Sequence, residues 1–292
     1  MQSIHRTVLL NEAIDGLNLK ANSTVVDATF GGGGHSAEIC RRSPSAKIIA
    51  LDQDKSVSKN KASSCNIIFY NENFRNLDKV LEKDEKVNGI IFDLGLSSNQ
   101  LENSGRGFSF QKDEPLLMTM KANPTSWDLT ALDVVNTWSE KSLADIIYGY
   151  GEEKFSRKIA KGIVEARNQK KIETTFELVK IISKSVPGVY KRGRLHYATK
   201  TFQAIRIAVN DELEALAEGL NKGFEALKVG GKMSVISFHS LEDRIVKRFY
   251  KKQASEWKAK LINKKPIKAS AEEIKNNPRS RSAKLRILEK IK

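Results

Sequence analysis

Four short apolar runs in the first hundred residues each end in a polar turn, and three of them end on an aspartate. They are Val25–Val26–Asp27, Lys47–Leu51 leading into Asp52, Asn66–Tyr70, and Val87–Phe92 leading into Asp93. Runs of this length with polar punctuation read as buried β-strands. Helical patterns occupy the gaps, at His35–Arg42, Lys55–Ala62 and Phe74–Leu81. Such alternation calls for an α/β fold, a mostly parallel sheet with helices on both faces. Sheets of this kind take their ligands beyond the carboxyl ends of the strands. The three aspartates therefore fall along the edge where a ligand belongs.

The alternation stops near Gly95. Residues 96–126 are rich in Ser, Asn, Gly and Pro, and then helical patterns follow without a strand between them: Ala131–Trp138, Ser142–Gly149, Glu152–Asn168 and Thr175–Ser185. Helical patterning continues over Thr199–Leu227, and Lys232–Phe238 returns as a fifth sheet strand. Asp243–Lys252 reads as a helix, 253–278 as a polar basic excursion, and Lys284–Glu289 as a last, antiparallel edge strand. The expected organisation is a discontinuous core, 1–104 and 200–292, interrupted by a helical domain at 105–199.

The net charge of +15 is unevenly spread. Residues 1–100 balance, with 12 Lys/Arg and 12 Asp/Glu, whereas 241–292 hold 17 against 6. A local excess of that size suits a polyanion such as a nucleic acid, and equally a solvated tail. No apolar run approaches the length of a membrane span, and the first ten residues lack a signal-peptide pattern. The two cysteines, Cys40 and Cys65, are too few for a disulfide framework or a zinc site. They read as small core residues in a reducing cytoplasm. No metal-ligand cluster is evident, although magnesium held through RNA phosphates would leave no motif.

The turn after the first strand is D-A-T-F-G-G-G-G-H-S (27–36). Glycines let backbone approach a ligand and adopt positive φ. A dinucleotide site would want G-x-G-x-x-G, with pyrophosphate on a helix N-terminus. Here the glycines are contiguous and follow an acid. An acid suits a ligand carrying an ammonium group and no phosphate, as S-adenosylmethionine does. Asp52, 18 residues after Gly34, stands where an acid binds ribose hydroxyls. A plain tight turn with capping acids is the competing reading.

Segment by segment, the chain resembles the bacterial RsmH (MraW) family of 16S rRNA cytosine-N4 methyltransferases. The resemblance rests on DATFGGGGHS (27–36), FDLGLSSNQL (92–101), RGFSF (106–110), TKTFQAIRIAVNDEL (199–213), SVISFHSLEDRIVKRF (234–249) and NPRSRSAKLRILE (277–289). It runs from His5 to Arg286. It implies a class I S-adenosylmethionine-dependent methyltransferase with a Rossmann-like core and an inserted helical domain, acting on a cytidine of the small-subunit decoding region. It also implies cofactor contacts from Gly33, Gly34, His35, Asp52, Phe74, Asp93 and Gln100, to which the residue reading adds Asp27. Phe74 reads equally well as an ordinary core aromatic.

Many amino-methyltransferases carry an (N/D/S)-P-P-aromatic motif after the fourth strand, whereas this chain has Asp93-Leu-Gly-Leu-Ser97-Ser98. Asp93, Ser97 and Ser98 are therefore the expected partners of the target amine, and His239 is a candidate to orient the base or relay a proton. A backbone-bonded structural role for His239 is the alternative. Arg106 and Phe108 are candidates to clamp an extruded base, with burial as the alternative for Phe108 and Phe110. Phosphate contacts are expected from Lys191, Arg192, Arg194, Lys200, Arg206, Lys247, Arg248, Lys251, Arg279 and Arg281. His196, in the same basic loop as Arg194, can touch phosphate too. One stretch departs from the family pattern. DEPLLMTMK (113–121) stands where DGPLDMRMD is usual, so Leu117 and Lys121 replace acids and Thr119 replaces a base. Rival functions are a non-catalytic RNA-binding protein, a nicotinamide oxidoreductase and a DNA amino-methyltransferase. The expected partner is 16S rRNA in the small ribosomal subunit, with no membrane; the oligomeric state is open, a homodimer included.

Overall fold

The computed structural model describes residues 7–292, the side chains of Ser98 and Asn99 excepted. His5 and Arg6 lie outside the described residues. The chain forms two compact units, one of residues up to Ser97 together with Leu213–Lys292, the other Ser98–Glu212.

Among the described residues seven strands make one sheet: β1 (Thr24–Asp27), β2 (Lys47–Leu51), β3 (Ile67–Tyr70), β4 (Val87–Asp93), β5 (Leu227–Ser237), β6 (Ala259–Leu261) and β7 (Lys284–Lys290), in the spatial order β3-β2-β1-β4-β5-β7-β6. The helices, in chain order, are α1 (Leu10–Leu17), α2 (Gly34–Arg42), α3 (Leu77–Val80), α4 (Ser98–Glu102), α5 (Ala131–Thr137), α6 (Glu140–Gly149), α7 (Ser156–Arg167), α8 (Thr175–Ser185), α9 (Gly188–Lys191), α10 (Thr199–Asn210), α11 (Glu212–Ala226), α12 (Ser240–Ser255) and α13 (Ala271–Asn276).

In the first unit β3, β2, β1, β4 and β5 run parallel. The near-continuous apolar sequences of β1, β2 and β4 follow from burial on both faces, whereas β3, the outermost of the five, exposes Ile68 and Tyr70. Val26, Ile49, Ile90 and Met233 pack under Leu216, Leu220 and Phe224 of α11 and Val246 and Tyr250 of α12. Their strand neighbours Val25, Ile48, Ile91 and Ile236 pack on the opposite face against Ala13, Ile14 and Leu17 of α1 and Ile39 of α2. Each such side chain, fully shielded, contributes about 1.5–3 kcal/mol. Gly223 permits the close approach of α11, since a Cβ there would stand 3.0 Å from Met233 Cε.

β7 is antiparallel as expected, but it is not an edge strand. β6 pairs along its outer side, within the stretch expected to be a polar excursion. β6 is three residues long with only Ala259 buried, too short for a periodic signal. The cysteines also depart from expectation. Cys40, in α2, and Cys65, just before β3, form a disulfide across 25 residues of sequence. They are not separate core thiols: folding β2 between α2 and β3 brings their Cα atoms within 5.8 Å.

The helical unit is built on α5–α8 and α10, with Leu143, Ile147, Ile159, Ile163, Leu178 and Ile182 fully buried. Thr130 with Asp133 and Thr174 with Glu177 form capping boxes at the starts of α5 and α8. The units divide at 97/98 and 212/213, whereas the sequence suggested 104/105 and 199/200. The physical reason at the second boundary is α10, which packs on α5 and α6. It ends at Asp211, whose φ of 49° breaks the helical run before α11 begins.

Candidate active site

The carboxyl ends of β1, β2 and β4 carry Asp27, Asp52 and Asp93, in adjacent strands of the sheet. Asp27 is buried; Ser36 donates its hydroxyl to Asp27 Oδ2 at 2.6 Å and the Thr29 amide donates to Oδ1 at 3.3 Å. Burial outweighs these donors and pushes the Asp27 carboxyl up to about 6. Asp52 holds the glycine turn. Its Oδ2 accepts from the Gly31 amide at 2.8 Å and its Oδ1 from the Asp54 amide at 2.8 Å.

The turn's conformation explains its glycines. Gly31 and Gly33 have φ of 48° and 74°, a region that L side chains enter at a cost. A Cβ at Gly33 would stand 3.0 Å from the Asn60 carbonyl and the Phe30 ring, and one at Gly34 would collide with Thr7 Oγ1. Gly33 is the residue before α2, so the turn delivers His35 to the start of that helix. His35 is buried, with Nδ1 3.7 Å from Asp93 Oδ2.

Asp93 is the most perturbed acid of the group. Burial, and then the charges of Asp27 and Glu242, hold its pKa well above the carboxylate range. Its amide donates to Thr29 Oγ1 at 2.6 Å, and Oδ1 is shut off from solvent with no hydrogen-bond donor among the described residues. Mutually repelling carboxylates in a low-dielectric setting disfavour their own charge. The electrostatic demand of this edge is for a positive charge and a hydrogen-bond donor. An amino-acid ammonium and a sulfonium supply the first, and an exocyclic amine supplies the second, so the residues fit S-adenosylmethionine.

Other expected residues fall differently. Phe74 is half-buried and packs edge-on against Phe92 at 5.5 Å, so its ring is partly committed to the core. His239 is the N-cap of α12; its Nδ1 accepts from the Glu242 amide at 3.4 Å, while Glu242 accepts from the Phe238 and His239 amides. Its Nδ1 is thus used in the capping box, the structural alternative. Ser97 closes the first unit and Gln100 belongs to α4 of the second. The Ser98 side chain lies outside the described residues.

In the helical unit Arg106 and Phe108 are both buried. Arg106 donates to the Met120 carbonyl at 2.8 Å and the Thr119 carbonyl at 3.3 Å, and lies over the Phe108 ring. Burial, the alternative for Phe108, describes both side chains in this structure, and Arg106 holds the end of the 116–120 segment. Arg206 is likewise engaged, in a two-pronged pair with Glu212 at 2.8 Å. The atypical 113–121 stretch has its own partners, since Thr119 is buried and Lys121 pairs with Asp128. Asn210 bridges that segment, accepting from the Met120 amide and donating to the Met118 carbonyl. Lys191, Arg192, Arg194, Lys247, Arg248, Lys251 and Arg281 are exposed, and Arg279 and Lys200 are half-exposed. The sequence reading missed Thr29, Ser36 and Asn210. Thr29 and Ser36 lie inside the glycine motif and could have been found by asking which donors a buried acid requires.

A doubly wound sheet closed by an antiparallel β7, with a glycine turn after β1 and acids at three strand ends, defines an S-adenosylmethionine-dependent methyltransferase of the Rossmann-like class. The chain belongs to the MraW methylase family, whose model matches residues 2–291. Two relatives from Clostridium botulinum, strain Kyoto and strain 657, are each 46% identical over the full length of both chains, and both bear the name ribosomal RNA small subunit methyltransferase H. Among solved structures, a putative rRNA methylase from Clostridium thermocellum aligns over 99% of each chain at 13% identity, with a TM-score of 0.47. Among the described residues no helix is long and apolar enough to cross a membrane.

Proposed function

We propose that this protein methylates the exocyclic N4 amine of a cytidine in the decoding region of 16S rRNA, with S-adenosylmethionine as donor, in the cytoplasm. The observation that carries the reading is Asp93. It is half-buried beside Asp27, with Oδ1 shut off from solvent and without a hydrogen-bond donor among the described residues, in a chain of a methylase family. When bound, the donor supplies an electrophilic methyl group on a sulfonium and leaves as a neutral thioether.

The remaining work falls to the chain. The N4 lone pair of cytosine is delocalised into the ring, so the amine must be aligned with the methyl carbon and its departing proton received. Positioning of this kind supplies much of the rate. Asp93 accepts a hydrogen bond from the N4 amine, and its raised affinity for a proton makes it a competent acceptor as the N–C bond forms. The proton then passes to solvent. Ser97, four residues after Asp93 and at the end of the first unit, can share this task. Asp27 faces the donor's ammonium group through its environment of like charge, Asp52 takes the ribose hydroxyls, and Gly33, Gly34 and His35 supply backbone at close approach. Phe74 adds to the donor's contacts, and His239 orients the base from its place at the head of α12.

Asp93→Asn and Asp93→Ala variants test this arrangement with labelled donor and small ribosomal subunits lacking base methylation. Turnover at saturating donor should fall by at least ~100-fold, the scale of a lost general base, while equilibrium donor binding falls much less. Near-normal turnover in Asp93→Ala would remove Asp93 from the reaction.

A further inference from the structure

Within the helical unit, the N-terminal end of α7, the short α9 and the start of α10 enclose a cleft of about 490 Å³ that the methyl-transfer site does not use. Its walls combine two aromatic rings with cations. Phe155 and Tyr190 meet edge to face at 4.9 Å. Lys154 Nζ lies 5.1 Å from the Phe155 ring centroid and 5.3 Å from that of Tyr190. Arg194 and Lys200 also line it. The mouth is apolar and open, with Val189 83% and Leu195 53% exposed.

The aromatic wall is built rather than incidental. Glu153 is fully buried; it accepts from the Phe155 amide at 2.9 Å and from the Tyr190 hydroxyl. One carboxylate thus fixes the orientation of the Tyr190 ring and the backbone that carries Phe155. Around the cleft the chain is strongly basic, with 13 Lys/Arg against 3 Asp/Glu between Lys154 and Lys200. Ring faces with mobile cations beside them match a nucleotide, whose base stacks and whose phosphate is neutralised. The volume lies in the range of small-ligand sites.

We propose that this cleft binds one unpaired nucleotide of the RNA substrate, its base against Tyr190 and Phe155 and its phosphate held by Lys154, Arg194 and Lys200. The nucleotide is a different one from the methyl acceptor, and the inference rests on the reading of the substrate as RNA. Lys154, already over both rings, swings outward to the phosphate as the base enters. The helical unit thereby acts as a second grip that selects a locally single-stranded segment.

The test measures binding of the full-length protein to a fluorescent ten-nucleotide single-stranded RNA and to a duplex of equal length, across a salt series. Tyr190→Ala should weaken single-strand binding about 5- to 100-fold, as the loss of base stacking does, with an unchanged salt slope. Tyr190→Phe keeps the ring and should stay within about threefold of wild type. Lys154→Ala with Arg194→Ala, both at the surface, should reduce the salt slope by roughly two. Circular dichroism verifies that each variant is folded. Single-strand binding unaffected by Tyr190→Ala overturns the cleft while leaving RNA as substrate. Equal weakening of duplex and single strand overturns the unpaired nucleotide. Failure of the wild-type protein to bind either RNA overturns the substrate reading and the cleft with it.

Discussion

Replacing Asp27 by asparagine should make the unliganded protein more stable and a poorer methyltransferase. The folded state raises the Asp27 carboxyl from its ordinary 3.8 to about 6, mainly through burial, against the help of Ser36 and Thr29. The folded chain therefore binds this proton more tightly than the unfolded one. Its contribution to stability is fully present below about pH 4 and is lost as pH rises through about 6. The loss amounts to about 3 kcal/mol once both states are ionised. Asparagine keeps the shape and removes the charge: its Oδ1 can accept from the Thr29 amide, and its Nδ2 can donate to Ser36 Oγ. Imperfect geometry reduces the gain, so Asp27→Asn should be stabilised by ~1–3 kcal/mol at pH 8. Urea denaturation of both proteins at several pH values between 4.5 and 8 reads the difference directly; titrating groups away from Asp27 cancel in the comparison, while Asp93, relieved of the Asp27 charge, adds to the gap. The gap should grow with pH up to about 6.5 and then stay constant. Donor affinity should meanwhile fall at least ~10-fold, since the ammonium group loses its partner. A variant less stable than wild type at pH 8, or a gap independent of pH, would refute the electrostatic reasoning.

Other consequences can be checked separately. Reduction of Cys40–Cys65 releases a closed loop of 25 residues and should lower stability by about 3 kcal/mol, measured by denaturation with and without reductant. In a reducing compartment the same loss applies in vivo. Gly34→Ala drives a methyl group into Thr7 and should reduce donor affinity with little effect on folding, read by calorimetric titration. Tyr250→Phe deletes the buried bond from its hydroxyl to the Met233 carbonyl, 2.8 Å long, and should cost about 1–2 kcal/mol with an unchanged donor Kd. Arg106→Ala should loosen the 116–120 segment, seen as faster amide exchange at Met118 and Met120, whereas RNA affinity measured separately stays near wild type.

What the sequence disclosed follows from where physical signals are local. β1, β2 and β4 were legible because each is an apolar run ended by an acid, and the second half of β5 because Lys232–Phe238 is mostly apolar; its first half, Leu227–Gly231, reads as the end of a helical stretch and a turn because it carries two glycines and exposed residues. The placement of those three aspartates at one edge of the sheet could be read from the same runs. β6 was hidden because three residues cannot show a period. The first two turns of the described chain, forming α1, went unread because LNEAIDGL is short and lies before the first strand signal. The disulfide could not be read because pairing depends on the sheet order, which places β2 beside β3. Arg106 and Arg206 looked like nucleic-acid contacts because charge suggests exposure. Their partners, carbonyls 13 and 14 residues away for one and Glu212 for the other, become visible only in three dimensions. His239 is the converse case. S-F-H-S-L-E-D contains the spacing of a capping box, with a histidine where Ser or Thr is usual.

The most direct test of the account is the position of the transferred methyl group. Small ribosomal subunits lacking base methylation are incubated with the protein and labelled S-adenosylmethionine, and the RNA is digested and examined by mass spectrometry. One methyl group is expected on the N4 amine of a single decoding-region cytidine, lost in Asp93→Ala. Label on another base or another atom, or no transfer by a protein that binds the donor, would contradict it.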